Sequence, residues 1–390
     1  MADGLLNKAS IILTPTGYKA GTLYNVAPID EPYEDFDFAR TSIATRINSS
    51  GLVSNVATGV PRISYDSNGE NGHILLEPTS TNLVTYSEDF SEWDLGSNAT
   101  LTYESDVVAP DGSLGVYRLT LPATSSTFLL SNIFSGQNPL ALSIYAKSAS
   151  TNNNFNLYDG SNSSSLKTAS SEWQRFDYVG NGNQFAVINS GDTFITDIYI
   201  WGAQAEALSY STSYIPTLTG STETRATETA TGAGSADLIN STEGVLYAEI
   251  AMLSEDDKDS NNQLFISDGT ANQRVGIFTE SAGDVRVQIK DSGETPDSRN
   301  LTALDQSESG IDTAAFNKIA ILYKSGQNKL FVNGSRITDT NFDSMVFNFS
   351  SLDNLEFGSG ANSNYFRGKC KALAVFNEAL SDSELTQLTT

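Results

Sequence analysis

The chain has one cysteine and one histidine in 390 residues. A lone Cys370 cannot close an internal disulfide, so the fold does not depend on an oxidising compartment. One Cys and one His cannot assemble the usual zinc ligand sets. A Ser–His–Asp or Cys–His catalytic apparatus would have to use His73, and its surroundings, "GENGHILLEP", contain no nucleophile motif such as Gly-x-Ser-x-Gly. His73 therefore reads as a loop or strand-edge residue. Positive charge is also scarce: 22 Lys and Arg face 47 Asp and Glu, a formal net charge of −25. Such a surface repels phosphate backbones and anionic lipid, so nucleic acid and membrane are not expected partners. No apolar run approaches the length of a membrane span. The opening "MADGLLNKAS" lacks the basic stretch and long apolar core of a secretory signal, so the expectation is folding in a cytoplasm. The glycine-rich stretches "GAGSAD" and "GSGANS" do not fit a phosphate-cradling loop and read as turns.

Helical signals are nearly missing too. The persuasive one is "LSDSELTQL", where Ser381 as N-cap and Glu384 three residues on form a capping box and Leu380 and Leu385 can staple the helix start. What fills the chain instead is short alternating runs between Gly, Asn, Ser and Asp clusters. Examples are "LALSIYAKS" (140–148), "QRFDYVG" (174–180), "DIYIWGAQ" (197–204), "GVLYAEIAM" (244–252) and "DVRVQIK" (284–290). In "AILYKSGQNKLFVNGSRI" (320–337) two such runs surround polar turns, and Asn333-Gly334 accepts the positive φ angles of a two-residue hairpin. Period-two alternation means one wet and one buried face. With 39% hydrophobic and 10% aromatic residues there is enough apolar mass for real cores. The expected fold class is all-β, two β-sandwich (jelly-roll) domains after an irregular N-terminal segment.

The expected boundaries follow composition. Residues 1–80 are irregular, carry Pro28, Pro32 and Pro61, and read as an attachment or oligomerisation segment that packs on a neighbour. Residues 81–218 form the first sandwich. The stretch "TGSTETRATETATGAGSAD" (219–237) is small, polar and aperiodic and reads as a linker. Residues 238–390 form the second sandwich.

Candidate site residues are few. In "SEDDKDSNNQLFISDG", Asp257, Asp259, Asn261 and Asp268 occupy positions 1, 3, 5 and 12 of a calcium-loop spacing, with Asn262 rather than glycine at position 6 and strand-like Leu264-Phe265-Ile266 inside the loop. A structural calcium ion is thus the one cofactor considered; otherwise none is expected. A glycosidase would need two carboxylates roughly 5–10 Å apart with separated pKa values, and the Glu-x-Asp-x-x-Glu strand motif of sandwich glucanases is absent. Sugar rings stack on exposed aromatics. Trp173 and Trp201 fall inside alternating runs and read as core, and Trp93 sits at a strand or turn start. Tyr365, flanked by Asn362 and Asn364 in "GANSNYFRG", is the expected carbohydrate contact, at the loop rim rather than on the 320–337 hairpin.

Three regions resemble known families. "LLNKASIILTPTGYKAGTLYNVAPI", "DFDFARTSIATRINSSGLVSNV", "PRISYD" and "ILLEPTSTNLVTYSEDFSEW" resemble the N-terminal region of tailed-phage virion proteins of the fibre type, Arg40, Ser42, Ala44, Thr45, Arg46, Asn48, Gly51 and Leu52 fitting its recurring pattern. Residues 82–216 resemble a carbohydrate-binding-module jelly roll, through "NLVTYSEDFSEW", "SEWQRFDYV" and "DIYIWGAQAEALSYSTSYIPT". Residues 243–390 resemble a concanavalin A-like or laminin-G-like sandwich, through "EGVLYAEIAM", "FNKIAILYKSGQNKLFVNGSRI" and "YFRGKCKALAVFNEALSDSEL". Here Phe316-Asn317-Lys318 replaces that family's aromatic and histidines, and Lys369-Cys370-Lys371 its acidic pair.

These resemblances imply a non-enzymatic virion protein, a tail-fibre or appendage subunit made in a host bacterial cytoplasm. It would display lectin-like domains for adhesion to host-surface glycans. Its partners would be other virion proteins and copies of itself, a trimer by the fibre analogy, since repeated weak sites give firm attachment. The alternatives are a capsid decoration or head-fibre protein with no specific ligand and, less favoured, a capsule-degrading glycosidase.

Overall fold

The computed structural model describes residues 4–27, 35–123, 127–189, 194–255, 262–280, 283–291, 298–305, 312–361 and 363–390. The described chain is nearly all β, with a jelly-roll, lectin-like arrangement of antiparallel sheets and two short α-helices, Thr340–Asp343 and Asp382–Thr389. It divides into two compact units: residues 1–41, 56–78 and 227–390, and residues 42–55 and 79–226.

In the first unit one sheet runs in the order Ser335–Ile337, Lys329–Val332, Asn317–Lys324, Glu243–Met252, Gly368–Phe376, His73–Leu76, Ile63–Ser64, with Ile11–Leu13 also paired to Gly368–Phe376. The second sheet runs Ser298–Leu304, Val285–Lys290, Arg274–Thr279, Gln263–Ser267, Asn354–Glu356. Alternation does the sorting. Leu246, Ala248 and Ile250 join Leu264, Ile266 and Val287 in one core, while Val245 and Tyr247 turn to the opposite face beneath Leu385 and Leu388 of the final helix. The 320–337 hairpin forms as expected, with Asn333 at φ 48° and Gly334 at φ 81°. Ser381 accepts from the Glu384 amide and Glu384 returns the bond to the Ser381 amide, completing the capping box. Removing the hydroxyl with Ser381→Ala is expected to cost about 1 kcal/mol, read as a lowered denaturant midpoint at unchanged slope.

The second unit is organised by the 19-residue strand Leu140–Tyr158. Its first half pairs with Gln174–Gly180 and Thr196–Glu206, and its second half with Ala186–Ile188. Leu114–Leu121 and Thr100–Val108 extend the Thr196–Glu206 side. Leu119, Leu142, Ile144, Phe155, Ile198 and Ile200 fill the core.

The expected boundaries need correction at two places. Residues 1–80 are not a separate segment. Their strands Ile11–Leu13, Ile63–Ser64 and His73–Leu76 complete the sheet of the first unit, and residues 42–55 belong to the second. The stretch 219–237 is not a free linker. Glu223–Arg225 pairs with Ser80–Asn82, and Thr229–Thr231 pairs with Phe36–Ala39. Three-residue strands of sequence Glu-Thr-Arg and Thr-Ala-Thr carry no hydrophobic period, so only their partners reveal them.

The residues that carried the fibre-type resemblance have structural work. Arg40 donates to Glu228 at 2.7 Å and to the carbonyls of Ala57 (2.6 Å) and Val60 (3.0 Å). Thr45 donates to the Tyr214 carbonyl, Asn48 accepts from the amides of Ser50 and Leu52, and Gly51 adopts φ 75° in that turn. Arg62 completes the Arg40 site: its Nε donates to Glu228 at 2.8 Å, and its Nη2 reaches both Glu228 and, at 2.8 Å, Glu77. Two guanidiniums and two carboxylates thus form a neutral group, with side-chain exposures of 0% for Arg40, Arg62 and Glu228 and 3% for Glu77. Burial opposes the charge on Arg62, but Glu228 and Glu77 outweigh it and its pKa is raised.

Candidate functional site

The solvent-facing side of the Leu114–Leu121 sheet in the second unit gathers polar and aromatic side chains by register alone. Thr102 lies opposite Arg118, Arg118 opposite Tyr199, and Tyr199 opposite Lys147, so one row crosses four strands. The next row is Thr100, Thr120 and Asp197. Opposed residues of an antiparallel pair share a face, with Cβ atoms about 5 Å apart, so the rows make one platform.

Arg118 and Asp197 fix its centre. Nε and Nη2 of Arg118 each donate to an Asp197 carboxylate oxygen at 2.8 Å. The planar guanidinium fork matches a carboxylate in two parallel bonds, a more directional pairing than a lysine could offer. The hydrogen bond to Asp197 raises the Arg118 pKa, and the same bond holds the Asp197 carboxyl below its usual range. The Arg118 side chain remains 38% exposed, so its outer edge is open to a ligand. Beside it, Tyr199 is half-buried, and Lys147, also half-buried, forms no ion pair among the described residues.

A third row, Glu104, Val116, Trp201 and Tyr145, is closed off. Trp201 packs on Tyr145 (5.5 Å between ring centroids) and Tyr214 (4.8 Å), under Val53 and Ile47 of the hairpin formed by Ala44–Ile47 and Val53–Val56. Thr100, Thr102 and Arg118 stay accessible while Val116 and Trp201 are buried, which gives the platform a wall at one end. Nearby in the same unit a groove of about 250 Å³ is lined by Ile43, Ile215, Pro216 and Leu218 above Tyr214. Its tyrosine hydroxyl is already committed to Ser87 and Glu88. The groove is chiefly greasy and offers little to a sugar.

The expected site residues lie elsewhere. Tyr365 is half-buried in the first unit, its backbone bridged to Gln263, and burial followed by the charge of Glu356 raises its pKa. Asn364 is exposed with φ 51°, a left-handed conformation that asparagine tolerates, which explains it as a turn residue. Asn362, Asp257, Asp259 and Asn261 lie outside the described residues. Asp268 accepts from the Thr270 amide (3.0 Å) and hydroxyl (2.6 Å), a local turn. Among the described residues no three His, Cys, Asp or Glu converge where a metal ion could be held. Trp201 and Trp93 are buried, as their alternating runs suggested for the former, whereas Trp173 is only half-buried and donates to the Val108 carbonyl at 2.8 Å. The expected core role of Trp173 is therefore corrected to packing at the edge of the outer face. His73 begins a strand and is 7% exposed. Its Nδ1 lies 2.9 Å from the Asn71 carbonyl, which can only accept, so Nδ1 carries the proton. Burial, aided by Lys369 and Lys371, pushes its pKa down to about 4, and the ring is neutral at pH 7.

Residues 251–386 match the family model described as concanavalin A-like lectin/glucanases superfamily, a laminin-G-type domain, over about a third of the chain. No curated protein matches. Among solved structures, the chain is similar to the CBM40 of the Ruminococcus gnavus IT-sialidase (19% identity, TM-score 0.31, covering 41% of this chain and 88% of that one). It is also similar to domain 4 of AbnA, an extracellular GH43 arabinanase from Geobacillus stearothermophilus (15% identity, TM-score 0.30, covering 42% and 73%).

Proposed function

We propose that this protein is a non-catalytic glycan-binding protein whose contact surface in the second unit is the Tyr199–Arg118–Lys147 platform. The observation that carries the reading is the cross-strand row itself. It presents an aromatic ring, a partly open guanidinium, an ammonium and threonine hydroxyls on one rigid sheet face. Shallow faces of this kind suit saccharides, which offer an apolar ring face for stacking and hydroxyls that both donate and accept. Sheet residues are also held without entropic cost from loop ordering. The laminin-G-type match over residues 251–386 supports a lectin-like role for the first unit as well. The resemblance of the Arg40–Leu52 pattern to fibre-type proteins supports a setting on a virion appendage, where repetition of weak sites by closed symmetry would give firm adhesion.

A glycan array with the intact chain tests this. Tyr199→Ala is expected to weaken each hit at least tenfold, the size of an anchoring aromatic. Tyr365→Ala measures the loop-rim alternative in the same format. An array blank for the wild type overturns glycan recognition and favours the reading in which the sandwiches are spacers.

A further inference from the structure

In a chain with 25 more acidic than basic side chains, stray lysines should find carboxylates readily. Lys369 and Lys371 do not. They flank buried Cys370 on the strand Gly368–Phe376, Lys371 at the register shift in that strand's pairing with Glu243–Met252. Neither forms an ion pair among the described residues. Lys371 donates to the Asn71 side-chain oxygen at 3.2 Å and places its ammonium 4.1 Å above the Phe316 ring centroid. The neighbouring strand His73–Leu76 pairs Cys370 with Ile74, which brings His73 alongside Lys371, and the imidazole packs on Phe316 at 5.6 Å. Lys369 is half-buried, and its pKa is lowered, by burial first of all. Asp66 acts on His73, Glu77 and Asp312 act on Lys369, and Glu249, paired with Ala372, acts on Cys370 between the two lysines. Of those that act on His73 and Lys369, each has other work. Asp66 accepts from the amides of Asn68 and Glu70, Glu77 binds Arg62, and Asp312 accepts from the amides of Ala314 and Ala315.

We infer that Lys369, Lys371, Phe316 and His73 form a receiving site for an oxyanion, a carboxylate or phosphate group carried on a small, partly apolar ligand such as an acidic saccharide. The two ammoniums supply charge, and the half-buried ring of Phe316 supplies an apolar surface. The unprotonated Nε2 of His73 can accept a hydroxyl from the ligand. The residues belong to the first unit, and the inference stands without the platform reading.

The single histidine makes the test clean. With ¹³C-labelled histidine, the His73 Cε1–H resonance is followed at pH 7 while sodium glucuronate, inorganic phosphate, glucose or sodium chloride is added at matched ionic strength, and each series is repeated as the pH is lowered. A saturable shift with glucuronate alone, accompanied by a rise in the His73 pKa of roughly half a unit or more, assigns the site to saccharide carboxylates. The same response to phosphate alone assigns it to phosphoryl groups, and to both, to oxyanions generally. No response beyond that of chloride overturns the inference, as does a response that survives in Lys369→Met/Lys371→Met. Each single Lys→Met variant should also raise the His73 pKa in the absence of any ligand. Lys371→Arg, which keeps the charge, should retain the response and guards against loss through misfolding.

Discussion

Glu228→Gln should lower the unfolding free energy by about 3–5 kcal/mol, a large part of a total that is ordinarily about 5–15 kcal/mol. The substitution keeps the shape and removes one negative charge. Arg40 and Arg62 then share Glu77 alone, leaving a net positive charge in a site with 0% side-chain exposure at both arginines. The Glu77 amide would also lose its 3.0 Å bond to a carboxylate oxygen. Taking a charge out of water is expensive, and its attraction to a partner is what offsets the cost. Converting all four residues together to Met or Leu of similar volume should be far milder than the single change, because no orphaned charge remains. Denaturant midpoints of the two variants, with exposed Glu223→Gln as a surface control, decide the matter. A single-variant loss below about 1 kcal/mol would mean that water or a shifted side chain reaches the site.

The second large effect is one of pH. His73 has a folded pKa of about 4, pushed down by burial and then by Lys369 and Lys371, with the Asn71 carbonyl and Asp66 pulling the other way. The unfolded imidazole titrates near 6.5. A base whose pKa is depressed on folding is held neutral in the native state, so its contribution is complete above about pH 6.5 and is lost as pH falls toward 4. Between pH 7.5 and 4.5 this amounts to about 2–3 kcal/mol. Most carboxylates titrate lower, and there is one histidine, so the upper part of that slope belongs to His73. Urea melts in chloride buffer at several pH values, kept above the isoelectric point near 4.2, should show the slope in wild type and its disappearance in His73→Gln. An identical slope in both chains would place the titration elsewhere.

Local chemistry was readable in the sequence where it was self-contained. The Asn333-Gly334 turn, the Ser381–Glu384 box and the alternating strands of residues 243–376 state their conformation within a few residues. What escaped was decided at a distance. Arg62 and Glu228 look like surface charges until a partner 166 residues away is placed against them. Arg118 meets Asp197 across 79 residues, so the platform exists only once strand registers are known, although the alternation in "GVYRLTL" and "DIYIW" already marked which residues share a face. Glu223–Arg225 and Thr229–Thr231 passed for a linker because polar three-residue strands owe their order to their neighbours. Attention to loop rims led to Tyr365, whereas the sheet face carries the richer set of groups.

The interleaving of the two units along the chain sets a timetable for synthesis. The strand Ile11–Leu13 emerges early, yet the segment it pairs with includes Val375, whose carbonyl bonds a serine 365 residues upstream. At roughly 5–20 residues per second, that early strand waits on the order of 20–70 s for its mate. Residues 42–55 and 79–226 can close on the ribosome in the meantime, the first unit only after Gly368–Phe376 has cleared the exit tunnel. A nascent chain halted before that strand would hold one finished body and a set of bare sheet edges, the species for which a holdase has most use.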